Sequence, residues 1–334
     1  MRWLTAIVWA LLLGCGDEPF YDSAPSQWRF LLLTAASTLQ VRQEPGGQVL
    51  LADAYADANG APPPAPIRDV VAFRDGLYLP LQANAVAVLD AKSYRQRALI
   101  PLPAPPAGLA FPNATTGYVW HDGVGLLSIL DLLQLRLART LTVPGTIRYV
   151  LAVGPLLYAL EERSSRLLVL DARTERLIDS LELPPSPRFA AIRANGAELL
   201  ILSTGSGDDG PAPRAPRLSF VGLSPLRLLG SLPVYPSATD SARTRITGLV
   251  TTVDDFAFIG TSQGLLRVDI RSRSGLRLLQ RWNVRQLQNV PIRDELWILT
   301  AEDTPRLIVA TGTRAEPQLQ VPLPVGTVSI LPLP

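Results

Sequence analysis

The sequence predicts an all-β chain folded as a seven-bladed β-propeller of four-stranded blades, and three observations carry that prediction. From Trp28 onward the apolar residues fall in short runs bounded by Gly, Pro, Asp and Ser, with no capped stretch of ten or more residues at helical spacing. The runs also repeat. Tyr78, Tyr118 and Tyr158 stand 40 residues apart, and Asp90, Asp131 and Asp171, which close a later run in each unit, are 41 and 40 apart. A fixed period of this length marks a repeat array. Finally, three strand-like runs left over at the start, RFLLLT, TLQVRQ and QVLLAD, and one at the end, VSILPLP, make one further unit. Placing the C-terminal strand innermost, with the N-terminal strands outside it, closes the ring and removes its exposed edges.

The chain divides in order as follows. Residues 1–14 read as an export signal: Arg2 precedes an apolar stretch from Trp3 to Leu13, too short to span a bilayer as a stable helix and suited to the apolar region of a signal peptide. The run Leu12-Leu13-Gly14-Cys15 resembles the bacterial lipobox. That resemblance implies that Cys15, the one cysteine of 334 residues, is acylated with a thioether-linked diacylglycerol and an N-acyl chain such as palmitate. Several buried acyl chains are what stable anchoring needs. Residues 15–27 then serve as lipidated cysteine and tether, and 28–334 as the propeller. Six full units are expected at 67–106, 107–146, 147–186, 187–244, 245–288 and 289–327, here called blades 1 to 6, with the leftover strands as blade 7. In each, an inner strand precedes the tyrosine strand, the aspartate closes the third, and the fourth ends near proline, as in ALIPLP, TLTVPG and SLELPP. The aspartates are expected to hold the turn between third and fourth strands. Gly222 and Ala310 stand in their place in blades 4 and 6.

Composition restricts the function. Thirty-one basic and 29 acidic residues leave a formal charge of +2, so no long-range field gathers nucleic acid. His121 is the sole histidine. A zinc enzyme with two or three imidazoles is therefore excluded, as is a histidine-assisted hydrolase unless His121 is the base; the other reading is a polar turn residue. No metal and no cofactor is expected: Asp208 and Asp209 in GSGDDG offer carboxylates, but adjacent aspartates lack the alternating spacing of a calcium loop.

If each blade runs from inner to outer strand, the second-to-third turns and the blade-to-blade connections share one rim. Three long segments, 54–66, 203–216 and 235–244, fall on that rim, either as functional loops or as tolerated insertions. The same rim receives Trp120, His121, Asp122, Glu161 and Glu302 from second-to-third turns, together with Asp208 and Asp209. Near the start of inner strands stand Arg68, Arg148 and Arg188, which either clamp an anion or pair with neighbouring carboxylates.

The repeat resembles the YVTN-repeat propellers, also described as surface-layer-protein-like. Residues 105–145, PPAGLAFPNATTGYVWHDGVGLLSILDLLQLRLARTLTVPG, carry the likeness best, and 166–188 follow. With the lipobox, the resemblance implies a bacterial cell-envelope lipoprotein that binds a ligand or a protein and does not catalyse. Gly16 after the cysteine resembles lipoproteins sorted to an outer membrane, facing the periplasm or the cell surface. The implied partners are the membrane, an outer-membrane or periplasmic protein and a small molecule. Two alternatives stand beside it: surface capture of vitamin B12 or another small ligand for an outer-membrane transporter, and a lactonase- or dehydrogenase-like propeller enzyme.

Overall fold

Blade 3 shows how the repeat builds a sheet. Ile147–Val153, Leu156–Glu161, Arg166–Asp171 and Arg176–Glu182 pair in succession, each antiparallel to the last. The turn into the fourth strand is held by the recurring aspartate: Asp171 Oδ1 accepts the N–H groups of Arg173 at 2.7 Å and Thr174 at 2.9 Å. Asp131 does the same for Leu133 and Gln134, Asp90 for Lys92 and Ser93, and Asp269 for Ser272. An aspartate at this place supplies the turn with an acceptor that the ending sheet ladder lacks. In blade 6, where Ala310 stands, the neighbouring Thr311 Oγ1 accepts the N–H of Glu316.

The computed structural model describes residues 28–44, 46–205, 215–234 and 244–333. Among them the strands form seven four-stranded antiparallel sheets. The seventh closes the ring: Thr327–Leu333 pairs with Arg29–Thr34, which is followed by Leu39–Gln43 and Gln48–Leu51. The first strands of neighbouring blades pack on one another around the axis, whereas fourth strands such as Arg176–Glu182 face solvent. Second strands are buried along nearly their whole length, because blades cover both of their faces.

Hydrophobic clusters accordingly lie between blades. Tyr158, Leu160 and Leu167 of blade 3 meet Leu199, Ile201 and Val221 of blade 4. Phe30 and Leu32 of the closing sheet meet Trp297 and Leu299 of blade 6, the two rings edge to face at 5.8 Å. Each such leucine contributes roughly 1.5–3 kcal/mol by leaving water. One repeated tyrosine adds a polar hook: Tyr118 Oη donates to the carbonyl of Ala172 in the next blade at 2.9 Å.

Two details differ from the sequence reading. The segment 54–66 is no loose insertion. Asp53 accepts the N–H of Ala56 as the cap of a helix, Ala54–Asn59, which Gly60 ends in the left-handed conformation. Tyr55 of that helix is buried and donates to Gln96 Oε1, while Asn59 Nδ2 donates to the carbonyl of Tyr94. The helix is thus fastened against blades 7 and 1. The first strand of blade 6 starts at Val284 rather than after 288, because a 3₁₀ turn at Pro291–Arg293 lengthens its link to the second strand. Among the described residues no helix is long and apolar enough to cross a membrane.

Strand direction sets the two ends of the ring apart. First and third strands run from the rim that carries the blade-to-blade connections, here the connecting rim, to the opposite rim. Second and fourth strands run back. Arg29 begins a second strand, so the chain enters the propeller at the opposite rim. The leader, Cys15 and the tether lie outside the described residues.

Candidate functional site

Nearly every first strand begins with the same irregularity. Its pairing with the second strand skips one residue at the connecting rim: Ala107, Arg148, Arg188, Thr247 and Arg285 in blades 2 to 6, and Val328 in blade 7. In blade 1, Arg68 follows the Ile67–Leu81 bridge at the corresponding place. A bulge bends the strand and re-aims the extra side chain. Arginine occupies this position in blades 1, 3, 4 and 6.

Three of these arginines join two carboxylates in a belt across blades 1 to 4. Arg68 Nη1 lies 3.0 Å from Asp122 Oδ2, and Arg148 Nη1 lies 3.4 Å from Asp122 Oδ1. Arg148 also donates through Nε to Glu162, whose other oxygen is 2.8 Å from Arg188 Nη2. The expected cluster of Arg68, Arg148, Arg188 and Asp122 is therefore brought together, and its arginines are paired with carboxylates. Exposure falls unevenly along it: the Asp122 side chain is 54% exposed and that of Glu162 10%.

The other expected rim residues divide. His121 is fully buried, its Nε2 2.8 Å from Ser128 Oγ and its Nδ1 3.2 Å from the carbonyl of Pro105. Burial lowers its pKa; the imidazole braces the inside of blade 2 from the last position of the second strand, Thr116–His121, so the reading of a polar turn residue is corrected. Trp120 is also buried, lying over Gly108 and 5.6 Å from the ring of Tyr149. Any Cβ at Gly108 would sit 2.2 Å from the indole, so the glycine is what lets the ring lie there.

Glu161 folds its own turn. Its oxygens accept the N–H groups of Thr146, Arg163 and Ser164 and the Ser164 hydroxyl. Burial alone would raise its pKa; these donors outweigh burial and hold it below the usual range. Gly145, in the left-handed region at φ +76°, makes room: a Cβ there would lie 2.3 Å from Glu161 Oε1. Glu302 lines a cleft of about 420 Å³ between blades 6 and 7, with Arg285, Thr300, Asp303, Val325 and Thr327. Its Oε2 is held by Arg306 at 2.6 Å. Asp208 and Asp209 lie outside the described residues, as do 206–214 and 235–243.

Three charged positions of this rim escaped the sequence reading: Glu162, which adjoins Glu161 in one turn, Arg285, which stands 12 residues before Trp297 where Arg148 stands ten before Tyr158, and Asp69. Asp69 follows Arg68 and its Oδ1 accepts from the N–H of Val70 and the hydroxyl of Ser329 across the ring seam. Burial raises its pKa. Among the described residues no three His, Cys, Asp or Glu side chains are grouped to hold a metal ion.

No protein-family model matches the chain, and no curated protein matches it. Solved structures do. A protein from Lactobacillus plantarum is 15% identical with a TM-score of 0.70, over 92% of this chain and 100% of that one. A quinonprotein alcohol dehydrogenase-like protein from Bacteroides thetaiotaomicron is 14% identical with a TM-score of 0.67, over 92% and 78%. Hydrazine synthase from Kuenenia stuttgartiensis is 13% identical with a TM-score of 0.63, over 75% and 84%. At these identities the likeness establishes the propeller fold alone. It also corrects the expectation that the chain does not catalyse: two of the three neighbours carry enzyme names, so the scaffold itself gives no ground for excluding catalysis.

Proposed function

We propose that this chain is a cell-envelope lipoprotein, tethered through Cys15, whose propeller presents its connecting rim to a small ligand or an envelope protein. The observation that carries the reading is the position of the belt relative to the chain's point of entry. Residues 1–27 join the ring at the opposite rim, so a lipid held by Cys15 leaves the arginine belt facing away from the membrane. The YVTN-like repeat and the lipobox resemblance support the same reading from sequence. A recognition surface on loops carried by a rigid ring fits the general division between scaffold and function.

Fractionation tests the tether. The parent chain, expressed with its leader in a Gram-negative host, is expected in the membrane fraction, and Cys15→Ala in the soluble envelope fraction. Retention of Cys15→Ala in the membrane would overturn the anchor. Recognition is tested by thermal shift against a panel of corrinoids, sugars and organic anions, with substitutions on the two rims compared: a stabilising ligand is expected to lose its effect only when the connecting rim is altered.

A further inference from the structure

The most exposed member of the belt is also the one with no structural duty in its own turn. Asp131, Asp171 and Glu161 each accept backbone N–H groups of the turns they start. Asp122 does not: among the described residues its carboxylate meets only the guanidinium groups of Arg68 and Arg148. Those two arginines come from blades 1 and 3 and grip one carboxylate from blade 2 between them. Arginine forks match carboxylate and phosphate oxygens in geometry as well as charge.

We propose that Arg68 and Arg148 form a binding site for a small oxyanion, carboxylate or phosphate, in which Asp122 is an internal placeholder that the ligand displaces. This rests on the connecting rim being the recognition face. Exposed ion pairs contribute little to stability, so Asp122 can leave at small cost, and its turn keeps its shape because the carboxylate does not hold it. Glu162 stays in place as the buried counter-charge that fixes Arg148 and Arg188. The ligand is an anion of low molecular weight, since the prongs converge on a single carboxylate-sized position.

The test is calorimetric titration of the full chain in detergent, at low ionic strength, with citrate and with inorganic phosphate. Asp122→Ala is expected to bind one of them about fivefold to tenfold more tightly than the parent, the gain from removing a competing exposed ion pair. Arg68→Gln added to Asp122→Ala is expected to cost about tenfold or more, whereas Arg166→Gln on blade 3, which among the described residues pairs with Glu182 at 3.9 Å, should change nothing. Tightening for citrate alone assigns a carboxylate ligand, and for phosphate alone a phosphate. Absence of binding to Asp122→Ala, or equal binding by all variants, would overturn the proposal. If a ligand from the wider panel binds at the connecting rim and is indifferent to Arg68→Gln, the recognition reading stands and the oxyanion site falls.

Discussion

The two rims of the propeller use the same charged residues in opposite ways. On the opposite rim, Arg193 joins Glu198 at 3.0 Å and Asp255 at 2.7 Å, all three side chains 15% exposed or less, and so ties blade 4 to blade 5. A second clasp there joins blades 6 and 7: Arg293 holds Glu44 at 2.7 Å and Glu295 at 2.8 Å, with its guanidinium over the ring of Trp28. On the connecting rim, Asp122 is more than half exposed between arginines that are themselves about a quarter to a third exposed. Burial decides the difference. A buried carboxylate that loses its cation is stranded, whereas an exposed one returns to water. The buried clasps fasten blades, as Glu162 does between Arg148 and Arg188 on the connecting rim, whereas Asp122 is a charge that can be exchanged.

Breaking the clasp should have the largest effect. Arg293→Ala leaves Glu44 and Glu295 buried side by side without a cation, and Glu44 Oε1 already lacks a hydrogen-bond partner among the described residues. A loss of about 3 kcal/mol is expected in urea unfolding. Gly108→Ala comes next. Its Cβ would collide with the Trp120 ring, and displacing that ring should cost about 1–3 kcal/mol.

The brace of blade 2 adds a pH signature. Burial lowers the pKa of His121 from 6.5, so the unfolded chain binds the proton more readily. Its contribution is complete above about pH 6.5 and is lost as pH falls below that value. Thermal scans from pH 8 to 5 should show the parent losing stability more steeply than His121→Gln. Asp90 and Asp171 work lower down. Ser93 N–H and Arg97 depress Asp90, and Thr174 and Arg173 N–H depress Asp171, so their stabilisation is present above about pH 4 and is lost as pH falls through the depressed values. The smallest effect is at the belt, where Asp122→Asn should change stability by less than about 1 kcal/mol.

Much of this architecture was legible in the sequence because one physical constraint recurs every forty residues. The turn aspartates and the split seventh blade follow from spacing and leftover strands, and both stand in the structure as read. The site was harder. Second strands are covered on both faces, so alternation could not reveal that Trp120 and His121 at the end of TGYVWH are buried. The 3₁₀ turn at Pro291–Arg293 adds residues between the first and second strands of blade 6, so Arg285 stands 12 residues before Trp297 where Arg148 stands ten before Tyr158. The helix Ala54–Asn59 lay within a proline- and alanine-rich segment that sequence composition marks as a loop, and the structure shows Asp53 and Gly60 capping it.

A pair of double-mutant cycles measures the contrast between the rims directly. Arg148→Gln with Asp122→Asn should yield a coupling energy below about 1 kcal/mol that fades with added salt. Arg293→Gln with Glu44→Gln should yield about 2 kcal/mol or more and resist salt. Equal coupling in the two cycles, with equal salt sensitivity, would contradict the division of labour between a buried clasp that fastens blades and an exposed charge that can be exchanged.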